Sequence, residues 1–147
     1  MSDAAQIIAR LGLASHPEGG WYRETWRGAA PEGSARSAAT AIHFLLEAGQ
    51  RSHWHRVDAA EIWLFHAGDP LRLSLAQEDT GPVRNILLGP DVLAGHAPQH
   101  VIAPHEWQAA EPGPVGAAGW SLVSCIVAPG FEFSGFTLAP EGWVPGR

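Results

Sequence analysis

The sequence predicts an all-β domain, a sandwich or barrel, preceded by one short helix. Three observations carry this. A helical apolar period occurs once, near the N-terminus, and then disappears. After it come short β-rich runs separated by turn residues. The 17 glycines and 12 prolines fall mostly at the joints between those runs. Many short strands at this spacing suit a sandwich or barrel.

The helix is expected over residues 3 to 11. Ile7, Ile8 and Leu11 share one face, Ser2 or Asp3 can cap the start, and Gly12 can end it. The strand runs are then GWYRETWRG, SAATAIHFLLEAG, RSHWHR, AEIWLFHAG, LRLSLAQED, VRNILLG, HVIAP, WQAAE, WSLVSCIVAPG and FEFSGFTLAP. In EIWLFHAG the alternation puts Glu61, Trp63 and Phe65 on one face and Ile62, Leu64 and His66 on the other. In FEFSGF, Phe131 and Phe133 are expected to share a face. The segment HPEGG before the first strand reads as a turn, with Pro17 fixing φ and the glycines allowing tight geometry.

At 147 residues the chain fits one domain, residues 1–147, with the helix in 1–12 and the barrel in 13–140. Hydrophobic content of 46% against 16% charged residues supports a folded core and argues against disorder. The net charge is −6 and all nine cationic side chains are arginine, without a basic run. That disfavours nucleic acid and anionic membranes as partners. Cys125 is the sole cysteine, so an internal disulfide and a Cys-rich zinc site are excluded. It lies in SLVSCIV, where a buried, inert thiol is expected. The N-terminus does not read as a signal peptide, and the expected location is cytoplasmic. No phosphate loop, dinucleotide fingerprint or G-x-S-x-G occurs, so no nucleotide cofactor is expected.

The chemistry concentrates in SHWHRVDAAEIW, residues 52–63. His53 and His55 are two apart and would point the same way on a strand. Glu61 follows a short turn and would stand on the neighbouring strand. Two histidines and a carboxylate can hold Fe, Mn, Ni or Zn with open positions for substrate. The plainer reading is two histidines hydrogen-bonded in a polar barrel mouth. Of the seven tryptophans, Trp54, Trp63 and Trp107 are the candidates for lining a pocket, the rest being core. Arg23 could clamp an anionic group, or could simply form a surface ion pair with Glu24.

These residues resemble the first motif of the cupin superfamily: Gly49, His53-Trp54-His55, Glu61 and, seven residues on, Gly68. A narrower resemblance covers the blocks HPEGGWYRETW, SHWHRVDAAEIWLFHAGDPL, PQHVIAPHEWQAAEP and WSLVSCIVAPGFEFSGFTLA. In this order they are similar to the cupin-5 subfamily, domain of unknown function 985, from about Leu11 to Leu138. The resemblance implies a double-stranded β-helix, or jelly-roll barrel, that pairs as a homodimer and takes a small-molecule ligand in the barrel. It also implies a fourth metal ligand, usually histidine, from a second motif. In APHEWQA that position falls on Gln108 if Trp107 is the anchor and on Ala109 if Pro104 is.

The resemblance leaves three functional readings. A divalent metal on His53, His55, Glu61 and Gln108 would serve an isomerase, epimerase or oxygenase acting on a sugar-like molecule or organic acid. A metal-free enzyme would use His55 as general base with Glu61 or Tyr22 beside it. A non-catalytic binder or sensor would use the cavity alone.

Overall fold

The computed structural model describes residues 1–113 and 116–147. The N-terminal helix α1 spans Asp3–Leu11, as its pattern predicts. The Ser2 hydroxyl accepts a hydrogen bond from the Ala5 N–H at 3.2 Å, and Gly12 closes the helix in the left-handed conformation at φ 66°. The helix buries Ala4 beside Leu13 and Leu45, with Ile7, Ile8 and Leu11 packed against them. Among the described residues no helix is long and apolar enough to cross a membrane.

Among the described residues eleven strands follow: β1 (Ala14–Ser15), β2 (Trp21–Arg27), β3 (Thr40–Glu47), β4 (Ser52–Val57), β5 (Ala60–Gly68), β6 (Leu71–Ala76), β7 (Arg84–Leu88), β8 (Gln99–Ile102), β9 (Trp107–Pro112), β10 (Trp120–Ala128) and β11 (Phe136–Leu138). They form a six-stranded sheet in the order β1-β2-β3-β10-β5-β8 and a five-stranded sheet in the order β11-β4-β9-β6-β7. The paired strands run antiparallel. The architecture is the expected all-β jelly roll, two sheets closing on one interior.

Alternation along each strand divides that interior into two halves. On β3, Phe44 and Leu46 are buried in the main core while Thr40 and Ile42 line a cavity. On β10, Val123 belongs to the core alone, Cys125 touches both, and Val127 lines the cavity. Leu71, Leu73 and Leu75 of β6 fill the core from the opposite sheet. Each such fully buried aliphatic side chain contributes about 1.5–3 kcal/mol. One half of the barrel is thus filled, and the other is hollow.

One strand expectation fails. FEFSGF is not extended over Phe131 and Phe133: residues Phe133–Gly135 form a 3-10 turn, and the strand starts only at Phe136. Phe131, Phe133 and Phe136 instead pack edge to face on one another, with ring centres 5.0 to 6.0 Å apart. Clustering of three rings there outweighs the local alternation.

Candidate functional site

The cavity has a volume of about 380 Å³, within the range of small-molecule sites. Its polar floor comes from three segments. β4 supplies His55, the start of β5 supplies Glu61, and the turn before β2 supplies His16 and Glu18. Tyr22 of β2 stands beside His16, with ring centres 4.4 Å apart.

The turn reaches the floor because two glycines let it. Gly19 and Gly20 have φ of 112° and 79°, and a Cβ at Gly19 would collide with the Arg51 carbonyl oxygen. The turn therefore lies directly against the start of β4. There the His53 N–H donates to the Glu18 carbonyl at 2.9 Å, and the Ser52 hydroxyl donates to the Glu18 carboxyl at 2.7 Å.

The protonation state follows from the hydrogen bonds. His55 Nδ1 lies 2.7 Å from the His53 carbonyl oxygen, an acceptor only, so Nδ1 carries a proton. His55 Nε2 lies 3.1 Å from Glu18 Oε2, a contact that requires one further proton between them. Glu18, His55 and Glu61 are 7, 2 and 7% exposed. Burial raises Glu18 to about 8 against the opposing Ser52 hydrogen bond, and burial lowers His55. The pair is accordingly a carboxylic acid donating to a neutral imidazole at pH 7, rather than an ion pair. Burial also raises Glu61 to about 7, with the neighbouring Glu18 carboxyl adding to it and His55, Gln108 and Cys125 opposing. His16 accepts the Glu18 N–H on Nδ1 at 3.0 Å, which leaves Nε2 to hold its proton. Burial, and then the nearby His55, lower it to about 4. Cys125 is buried as expected, and burial keeps it a thiol.

The sequence-predicted residues divide sharply. His55, Glu61 and Tyr22 all line the cavity. His53 does not: its Nε2 faces the Pro140 carbonyl oxygen at 3.0 Å. The cause is a bulge in β4, where Ser52 pairs with Ala110 and His55 with Gln108, so that three steps on β4 meet two on β9. The bulge gives the inward place to Ser52. Gln108 lies beneath the floor, where its Oε1 accepts the Trp63 indole N–H and its Nε2 donates to Glu61, both at 2.9 Å. An indole N–H only donates, so it fixes the amide with its NH2 toward Glu61 and its oxygen occupied. Ala109, the alternative fourth position, packs in an aromatic layer outside the five-stranded sheet.

The arrangement does not fit the metal set expected from the sequence. His53 is turned away, Gln108 turns its NH2 toward Glu61 and its oxygen toward Trp63, and the inward nitrogen of His55 is engaged by Glu18. Among the described residues no group of three or more His, Cys, Asp or Glu side chains is placed to hold a metal ion.

The expected substrate-binding residues also lie elsewhere. Trp54 and Trp107 are buried in the outer aromatic layer with Trp143. Trp63 is in the core, reaching the floor only through Gln108. Arg23 binds the Leu11 carbonyl at the end of α1, at 3.3 Å, and Glu24 pairs with Arg27 instead, at 2.7 Å. The residues that sequence reading missed are His16, Glu18, Ser52 and Arg27. A histidine and a glutamate inside a Pro/Gly turn were the available signal for the first two. Arg27 two turns of strand alternation beyond Arg23 gave none.

Comparison with known proteins agrees with this geometry at the level of fold. A hypothetical protein from Leishmania major is 36% identical, with a TM-score of 0.85, covering 95% of this chain and 89% of its own. A protein of Shewanella oneidensis gives the same identity and TM-score, covering 95% of this chain and 85% of its own. Oxalate decarboxylase from Bacillus subtilis, an enzyme described with Mn(II) centres, is similar in fold alone: one structure is 13% identical, with a TM-score of 0.60 over 84% of this chain and 29% of that one. No curated protein matches the chain. The model of the Cupin superfamily (DUF985) family matches residues 5–139, nearly the whole length, and the chain belongs to that family.

Proposed function

We propose that the barrel cavity is a metal-independent acid–base site that isomerises or epimerises a small carbonyl compound by moving a proton at the adjacent carbon. The observation that carries this reading is the buried Glu18–His55 contact, one proton held between two groups on a cavity floor that also bears Glu61. A structural role alone gives no reason to bury two carboxylates and two imidazoles around empty space, since each costs stability.

Their pKa values suggest the division of labour. Glu61, at about 7, is ionised enough at neutral pH to take a proton from carbon. Glu18, at about 8, is still protonated there and can return one. Ser52 and His55 hold the Glu18 carboxyl, and Gln108, itself held by Trp63, holds that of Glu61. Tyr22 and His16 stand where a carbonyl oxygen could be met by a donor. The base taking a proton and the acid giving one leave the molecule isomerised and the two carboxyls with their protons exchanged. A third step resets the site through solvent.

The test is carbon–hydrogen exchange in D2O with a panel of small cyclic and acyclic hydroxyketones, in the presence of a chelator. Saturable, protein-dependent loss of the C–H signal is expected, with a bell-shaped pH profile whose limbs lie near 7 and 8. Glu61→Gln should reduce it about 10²–10⁴-fold, the usual size of a general-base contribution. Absence of exchange on every member of the panel, or equal exchange in the Glu18→Gln and Glu61→Gln double variant, sinks the proposal.

A further inference from the structure

We infer that the cavity selects an uncharged or cationic molecule with an apolar body, and rejects carboxylates and phosphates. This rests on the proposed reading of the cavity as the ligand site and narrows its occupant.

The argument begins with the charges that face the cavity. Among the described residues four carboxyl groups line it, Glu18, Glu24, Glu61 and Glu132, against a single guanidinium, that of Arg27. Arg27 has no bidentate edge open to an anion, because Nη2 is engaged on both sides. Its Nη2 binds Glu24 Oε1 at 2.7 Å and the Phe131 carbonyl at 3.1 Å, and its Nε points to the other Glu24 oxygen. Glu24 and Arg27 therefore offset each other at the mouth, where their side chains are 38 and 46% exposed. Arg36 also feels Glu132, but both its terminal nitrogens bind the Asp58 carboxylate at 2.7 and 3.0 Å. The imidazoles add no cation at neutral pH, since burial lowers both His16 and His55.

What remains is an excess of negative charge over any anion that entered. Glu132 stands half-buried near the mouth, and Glu61 is partly ionised at the floor. Beside the buried floor a like charge is expensive, because little solvent screens it there. An anionic ligand would also find no bidentate arginine to receive it.

Much of the remaining wall is apolar. Ile42, Val57, Val127, Phe131 and Phe136 line the cavity. Phe136 also packs against the His55 ring, with centres 5.4 Å apart. A ligand polar over its whole surface would leave its hydroxyls against these side chains unpaired. One polar end reaching Glu18, Glu61 and Tyr22, with a ring or short chain behind it, matches the distribution. Of the two substrate classes considered from the sequence, organic acids are thereby disfavoured.

The experiment uses three probes of one size and different charge: benzyl alcohol, benzylammonium and benzoate. Each is titrated into the full-length protein at pH 7.5, following the imidazole C–H resonances of His16 and His55, with calorimetry in parallel. The alcohol and the ammonium should bind saturably and shift both histidines, and benzoate should bind about tenfold more weakly or worse. Glu132→Gln should narrow that gap by raising benzoate affinity. Benzoate binding as tightly as the alcohol overturns the inference, and so does the failure of all three to bind saturably. The measurement reads binding and not turnover. Charge selectivity without C–H exchange would remove the catalytic proposal and leave this one, and exchange without charge selectivity would do the reverse.

Discussion

Trp54 and His55 are neighbours on β4, both nearly fully buried, yet they belong to opposite regions of the molecule. Trp54 faces outward into a layer with Trp107 and Ala109, roofed by Trp143 and Val144 of the C-terminal segment. Its ring lies 6.4 Å from that of Trp143, and Trp143 in turn lies 4.5 Å from Trp107. His55 faces inward onto the cavity floor. The outer layer is dominated by apolar and aromatic side chains, and the Trp107 N–H in it donates to Asp79 at 2.8 Å. The floor is hollow above and built of titratable groups. The difference teaches that Trp54 and Trp107 serve packing, whereas the aromatic side chains of the cavity are Tyr22, Phe131, Phe133 and Phe136. The chemistry rests on a few buried acids and imidazoles that share no side chain with the outer layer.

Replacing Trp107 is the strongest way to strain that contrast. Trp107→Ala should cost ~3–5 kcal/mol in urea unfolding, the range for a buried tryptophan. Below the transition the His16 and His55 resonances should keep their wild-type pKa values. An intact stability with a collapsed floor would show that the two regions are not separate.

A smaller effect distinguishes the floor by its pH dependence. Glu18 and Glu61 have folded-state pKa values of about 8 and about 7, raised from 4.5. A raised acid favours the folded state fully below its unfolded pKa, and that contribution is lost as pH rises through the folded value. His16, lowered to about 4 from 6.5, works the other way and loses its contribution as pH falls from 6.5 through about 4. Above pH 6.5 the two carboxyls alone among these groups set the slope, so stability should fall between pH 6.5 and 8. Glu18→Gln should flatten that fall, while Trp54→Phe should leave it unchanged. A wild-type stability that rises over this interval would contradict the burial of two protonated acids.

The smallest effect concerns His53. Losing its exposed contact with Pro140 should cost about 1 kcal/mol or less. His53→Ala should leave both the C–H exchange and the ligand affinity of the cavity near wild type. A metal ligand at that position would instead abolish activity, with loss of bound metal by elemental analysis.

Much of the fold was legible because it is written in local patterns. The helix needed only Ser2, its apolar face and Gly12. Strand runs were marked by Gly and Pro at their ends, and Glu61, Trp63 and Phe65 do share an inward face. The site was legible in part: His55, Glu61 and Tyr22 line the cavity, and Gln108 sits beside Glu61. Its other half was hidden for specific reasons. The β4 bulge replaces His53 with Ser52, and a one-residue insertion in a ladder leaves no local mark in SHWH. Glu18 sits in a segment whose composition describes only a turn.

The sequence by itself determined the class of architecture, the family and the strand pair that would carry a pocket, because periodicity, turn residues and the cupin-like motif are properties of nearby residues. Tertiary structure alone decided which side chains meet. Glu18 and His55 are 37 positions apart, and Trp63 and Gln108 are 45 apart. Their contacts depend on two sheets closing on each other and on Gly19 letting one backbone lie against another. Water leaves the floor only when that closure is complete, and it is the loss of water that gives these acids and imidazoles their shifted protonation.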